Sequence, residues 1–399
     1  MSSSSQRLIF VDVLRSLAIG LAIAAHAFND FEVSSRLADH EYILSRLLTR
    51  AATPSFIFMF GMMLELAYVH KLERNGFAGT VPRLLWRSLQ CYFGYVLTVA
   101  AGWAAGMYDG LHALQAAFFI FGVRHGNILQ FYTVALVVAI PLLAFRRRFG
   151  MLATLGLCVG MWVLDPLFNA MNAIHVGRFG GIQTLMTQMI PSSLTFIGAG
   201  MFVGQVLRFD RNRLARALHQ RAALILAAVL AVVGVLVWTS SAGTVLHSYL
   251  DFYAYRASYH VGYYAIGLLQ AVALCLLLFY VFPPRVQRPS PSSPLLCFGR
   301  CSLLSFTLGN ILLTFLMGIV PDTPYQGVLW TGAVLAGLFV LVNAQEQLLR
   351  YLRTHPQLKG AFYPVTMMQE HLVTPVSAAL VRHGRLATRR LEARGGLPR

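Results

Sequence analysis

Residues 11–26 read VDVLRSLAIGLAIAAH. Apart from Asp12, Arg15 and His26 the stretch is what a bilayer core accepts, and those three are what it resists. It lies inside an apolar run, 8–29, long enough to cross roughly 30 Å of hydrocarbon as a helix. On a helix, Asp12 and Arg15 are three residues apart and pair side by side. Arg15 and His26 are separated by three turns and about 20°, so Asp12, Arg15 and His26 share one stripe. His26 stands roughly 16 Å further along the axis than Arg15. Asp30 follows His26 by one turn, a spacing suited to orienting an imidazole.

The whole chain repeats the apolar theme. Hydrophobic residues make up 57% of the 399 positions and charged residues only 12%, where a soluble chain is about a quarter charged. The runs are continuous rather than alternating, which predicts an all-α polytopic membrane protein and not a barrel. Expected spans are 8–29, 52–69, 88–107, 128–145, 150–168, 186–207, 222–241, 258–282, 301–320 and 326–345, about ten transmembrane helices. The piece 111–122 is too short to span and reads as re-entrant or interfacial. MSSSSQR followed by AIAAHA imitates a signal peptide, but Asp12 and Arg15 inside the run read as an uncleaved span.

The net charge of +17 is explained by topology. With the N-terminus and C-terminus both cytoplasmic, 25 of the 32 Lys and Arg fall on the inner side. No nucleic-acid partner is needed to account for them. PPRVQRPSPSSP (283–294) is a stiff linker separating eight helices from the last two. The chain divides into a helical domain, 1–350, and a basic tail, 351–399, suited to anionic headgroups. Cys91, Cys158, Cys275, Cys297 and Cys301 read as packing residues, since no His or further Cys completes a metal set around the C-x3-C pair. Gly-x-x-x-Gly at 156–160 and 200–204 reads as helix packing. No P-loop or dinucleotide fingerprint is present. The absence of an internal repeat weighs against a transporter built from repeated halves.

From Arg7 the pattern R-x(4)-D-x-L-R-[GS]-x-A…H resembles the opening signature of the transmembrane acyltransferases. That superfamily holds the acyltransferase-3 proteins, the periplasmic-glucan succinyltransferases and the heparan-α-glucosaminide N-acetyltransferase group. Arg15 and His26 match its arginine, ten residues, histidine spacing, and Ser16 stands where glycine is usual. ATPSFIFMFGMML (51–63), GNILQFYTVALVVAIPLL (126–143) and FGRCSLLSFTLGN (298–310) are similar to later pieces, with Asn310 in place of a different polar residue. Glu346 and Arg350 match a Glu-x-x-x-Arg after the last span, so the resemblance covers about 7–350.

The resemblance implies transfer of an acetyl or succinyl group from cytoplasmic acyl-CoA to a sugar hydroxyl or amine of an extracytoplasmic glycan. His26 then acts as general base near neutral pH, and Asp30 fixes its tautomer. Arg15, held by Asp12, grips the thioester or the pantetheine chain. Arg300, with Arg83 and Arg87, stands at the cytoplasmic mouth where the phosphates of the donor need cations. No metal and no tightly bound cofactor is expected, and the setting implied is a bacterial inner membrane. Plainer readings stand beside these: Asp12–Arg15 as a packing ion pair, His26 at the interface, and the arginines as ordinary inner-side charge. Externally, His175, His247, His260, Arg256, Tyr263 and Tyr264 suit either a sugar groove or interfacial anchoring. A glycan or lipid transporter or flippase, or a lipid-binding sensor, is the competing class. Acyl-CoA-dependent product formation separates them. The acyl group, the acceptor and the oligomeric state are not legible in the residues.

Overall fold

A computed structural model of the chain describes residues 9–164, 167, 170, 180–207, 211–256, 258, 260–282, 296–354 and 367–382. His175 and the linker 283–294 lie outside these. Every element among the described residues is helical, as a backbone that must satisfy its own polar groups in hydrocarbon requires. Among the described residues six helices are long and apolar enough to cross a membrane, and Ile190–Val206 and Ser302–Leu316 are apolar but shorter.

The chain opens with α1 (Ile9–Asp30), a short α2 (Val33–Arg36) and α3 (Asp39–Arg50). α4 (Ala52–Met63) passes through a π turn, Leu64–Val69, into α5 (His70–Ala104). The connection 70–87, which its charges make loop-like, is therefore helix, broken at Gly76 where φ is 64°. In the same way α7 (Asn127–Val163) carries the Arg146–Arg148 run inside a helix broken at Gly150, φ 83°. Only glycine enters that left-handed region without steric cost.

Between α5 and α7 lies α6 (Gly110–Ala117), capped by Asp109, whose carboxylate accepts from the His112 N–H at 2.6 Å. Leu111, Leu114, Phe118 and Phe121 point outward there, so 111–122 is a short helix and turn with an exposed apolar face. α3, outside the expected spans, likewise turns Ile43, Leu44 and Leu48 outward. The acidic residues Asp39 and Glu41 begin it and Arg50 ends it, in accord with the helix dipole.

The rest comprises α8 (Ile190–Val206), α9 (Arg211–Thr239), α10 (Ala242–Leu250), α11 (Val261–Val281), α12 (Cys297–Arg300), α13 (Ser302–Leu316) and α14 (Pro324–Thr354). In the tail, helical residues 367–382 bury Val373 and Ser377, and the turn Gln369–Val373 meets α5.

α8 is the centre of the bundle: every residue but Gln205 is buried. It packs on α4 and α7, and it reaches α4 because glycines remove the side chains between them. A Cβ at Gly200 would sit 1.9 Å from the Phe58 carbonyl oxygen, and one at Gly61 would sit 2.1 Å from that of Ile197. The small-residue stripe at 200–204 therefore packs a helix. The one at 156–160 meets no other helix among the described residues, since Gly156 and Gly160 have nothing within 4 Å of where a Cβ would go.

This contact predicts an asymmetric response to alanine. Gly200→Ala must push α8 from the α4 backbone and should cost about 1–3 kcal/mol, the usual range for overpacking. Gly156→Ala should leave the thermal melting of the detergent-solubilised protein unchanged. Equal melting of both variants would show that the α4–α8 contact is not backbone-tight.

Candidate functional site

α1 carries polar groups at both ends, and the bundle closes around it through α4, α11, α12, α13 and α14. At its start, Arg15 lies 3.7 Å from Asp12 and donates through Nη1 to the Gly299 carbonyl at 3.1 Å. The Gly299 N–H donates to the Ser16 hydroxyl at 2.8 Å. A side chain at Gly299 would overlap the Asp12 carbonyl, 2.2 Å from its Cβ position, so α1 and α12 meet backbone to backbone. One residue on, Arg300 donates through Nε and Nη2 to Glu346 at 3.0 and 2.7 Å, and Arg350 joins the same carboxylate at 2.8 Å. Asp12, Arg15, Ser16, Gly299, Arg300, Glu346 and Arg350, drawn from three separate stretches of sequence, thus form one junction of α1, α12 and α14.

Close to this end is a second group of cations. Lys71 lies over the Tyr68 ring, 5.9 Å from its centroid, and is repelled by Arg83 and Arg87. Arg15, Arg83 and Arg87 all act on the Tyr68 hydroxyl. Tyr132 stands further up the bundle and donates to the Phe56 carbonyl at 2.9 Å.

Near the other end of α1 a cavity of about 230 Å³ opens among α1, α4, α7, α8, α11 and α13. It exists because the residues facing it on several helices are small (Ala22, Ala52, Thr53 and Ser193) while Phe56, Phe131, Phe196 and Phe306 form its wall. His26 is half-buried and lines it, with Asn127, Tyr263, Tyr264, Arg124 and Arg256.

Behind His26 the structure departs from the simplest expectation for Asp30. The Asp30 carboxylate is engaged from another element: Arg124 donates to Oδ1 through Nε at 3.1 Å and Nη2 at 2.8 Å. Its Oδ2 lies 3.1 Å from Nε2 of His125, close but poorly aligned for a hydrogen bond. His125 is itself buried and sets its ring edge-on to His26, with centroids 5.1 Å apart. His125 thus stands beside both Asp30 and His26. A histidine beside an arginine in the short stretch before an apolar run was the only signal for it.

Other expected residues have different places. His260 is the N-cap of α11, its Nδ1 accepting from the Gly262 N–H at 3.1 Å, and its ring stacks on Tyr255. Asn310 is fully buried, and neither amide atom has a hydrogen-bond partner among the described residues. Sequence reading also passed over Glu65. It is fully buried in the π turn after α4 and receives Arg146 Nη2 at 2.9 Å and Nε at 3.1 Å. One acid in the apolar run 52–69 was its signal.

A family model described as heparan-alpha-glucosaminide N-acetyltransferase, catalytic, matches residues 7–238. No curated protein and no solved structure matches the chain.

The geometry around Asp30 yields a stability prediction. Asp30→Asn removes the charge facing both Arg124 and His125; the carboxylate is buried but Arg124 is 48% exposed, so the change should cost about 1–2 kcal/mol, the scale of a lost charge-assisted hydrogen bond rather than of a buried ion pair. Arg350→Ala removes a half-exposed partner of Glu346 and should cost less than about 1 kcal/mol. Thermal unfolding in detergent compares the two; an Asp30→Asn protein as stable as the parent would show that its charge holds neither neighbour.

Proposed function

The chain belongs to the heparan-alpha-glucosaminide N-acetyltransferase catalytic family, and we propose that it moves an acyl group, acetyl or succinyl, from cytoplasmic acyl-CoA to a sugar hydroxyl of an extracytoplasmic glycan. The observation that carries this reading is the cavity at His26. An imidazole opens onto an aromatic-lined space of about 230 Å³, backed by His125 and by the Asp30–Arg124 pair. In the proposed step the acceptor hydroxyl gives its proton to His26 and its oxygen attacks the thioester carbonyl carbon. The C–O bond forms, the C–S bond breaks, and the proton passes from His26 to the leaving thiolate. An amine acceptor would follow the same course with nitrogen as nucleophile. His125 and Asp30 act as positioning residues, holding the imidazole edge toward the cavity.

The donor enters from the Arg15 end of α1. In this reading Arg15, held by Asp12 and the Gly299 carbonyl, meets the pantetheine chain, whose thioester end extends toward His26. The group around Tyr68, with Lys71, Arg83 and Arg87, offers the phosphates a cationic seat of the kind phosphate recognition uses. Arg300 is engaged by two bonds to Glu346, so we assign it to fastening α12 on α14 and not to the donor. In this topology both termini are cytoplasmic across about ten spans, the basic tail lies against anionic headgroups, and the setting is a bacterial inner membrane.

Radiolabel transfer from acetyl-CoA and succinyl-CoA to the glycan fraction of membranes tests the reading. His26→Ala should lower transfer by about 10²–10⁴-fold, the contribution usual for a general base, in a protein that inserts normally. His125→Ala, which loosens the imidazole without removing it, should cost roughly 10–100-fold, as loss of an orienting neighbour does at other histidine sites. Undiminished labelling in His26→Ala would move the chemistry elsewhere. Movement of glycan across vesicles with no acyl label from either donor would favour a flippase.

A further inference from the structure

If donor and acceptor reach His26 from opposite ends of α1, their two spaces must join at some level along it. The cavity at His26 is walled on one side by Phe56 and Phe131, and neither Arg15 nor Tyr132 lines it. Tyr132 stands directly behind that wall. Its ring meets Phe56, Phe60 and Phe131 edge-on, with centroids 6.0, 5.1 and 5.6 Å away. Its hydroxyl donates to the Phe56 carbonyl at 2.9 Å, which draws α7 onto α4. One residue on, the Ser88 hydroxyl of α5 donates to the Thr133 carbonyl at 2.6 Å. The backbone that carries Tyr132 is thus tied to both neighbouring helices.

Tyr132 is half-buried although it does not line the cavity. Arg15 and Cys91 act on its hydroxyl, and both act on that of Tyr68 as well, together with Arg83 and Arg87. Tyr132 therefore touches the cavity wall with its ring and the group at the Arg15 end with its hydroxyl. A neutral hydrogen bond and edge-on ring contacts hold it, interactions that a turn about its side-chain torsions can exchange for others. A ring in this place also keeps water of the acceptor cavity from the thioester, as a closed site requires. Resting on the acyltransferase reading, we infer that Tyr132 is the gate between the donor side and the acceptor cavity. The gap its ring leaves sets the width of the acyl group that reaches His26.

The test compares acetyl-CoA with isobutyryl-CoA, whose acyl group carries two further methyls beside the carbonyl, as donors to the glycan fraction of membranes. The parent chain should prefer acetyl by at least about ten-fold, the discrimination a closely fitting apolar passage gives. Tyr132→Ala should bring the two donors within about two-fold of each other, and Tyr132→Leu, which keeps bulk in the bundle, should narrow the preference. Tyr132→Phe keeps the ring and should keep the preference, which separates the ring from its bond to the Phe56 carbonyl. A second readout needs no transfer. In bacterial spheroplasts a membrane-impermeant methanethiosulfonate is applied to the outer face, and modification of Cys91, 9% exposed, is followed by mass. It should be at least about ten-fold faster in Tyr132→Ala and Tyr132→Leu than in the parent or Tyr132→Phe, since thiol reactivity follows access. Equal use of the two donors by the parent overturns the inference, as does a preference unchanged in Tyr132→Ala and Tyr132→Leu. Equal modification of Cys91 in all four proteins overturns it too. Faster modification in the opened variants, with no transfer from either donor in the parent, would instead remove the acyltransferase reading and leave the barrier standing.

Discussion

A charge inside a lipid-embedded bundle must be answered within the bundle, and much of this architecture follows from how that is done. Glu65 is answered by Arg146, which ties the end of α4 to α7. Asp30 is answered by Arg124 and His125, which fixes the end of α1 against the segment leading into α7. Glu346 is answered by Arg300 and Arg350, which locks α12 onto α14. Such pairs add little net stability once desolvation is counted. What the pairs Glu65–Arg146, Asp30–Arg124 and Glu346–Arg300 supply here is register, because each joins different elements.

Close packing and open space are set by the same small residues used in opposite ways. Where Gly61 faces Ile197 and Gly200 faces Phe58, missing side chains let two backbones touch. Where Ala22, Ala52, Thr53 and Ser193 face a ring of phenylalanines too bulky to fill the gap, missing side chains leave a cavity. The polar groups of that cavity arrive from α1, α4, α7 and the segment before it, α8, the turn Phe252–Arg256 and α11. No single helix could have been read as the site.

This explains what was legible in the sequence. The helical membrane fold followed from composition, and the stripe of Asp12, Arg15 and His26 followed from a period of 3.6 residues within one helix. Periodicity says nothing of what another element brings, so the approach of His125 to Asp30 and His26 was not visible, nor was the pairing of Glu65 with Arg146. Hydropathy alone also leaves 70–87 as an unassigned stretch between two expected spans, where the structure has helix with non-helical backbone at Gly76. The two Gly-x-x-x-Gly stretches show the limit most plainly: identical as patterns, one is a helix contact and the other faces open space.

The clasp between Arg15, Ser16 and Gly299 carries a further consequence. The family model matches residues 7–238, yet the helix bearing Arg15 and His26 is clamped by α12, which begins at Cys297. Arg256, Tyr263, Tyr264 and Phe306 close the cavity from the same later region. The matched segment and the packed bundle therefore have different borders. Residues 7–238 made alone would expose the face of α1 that α12, α13 and α14 cover, and would leave the cavity without one side.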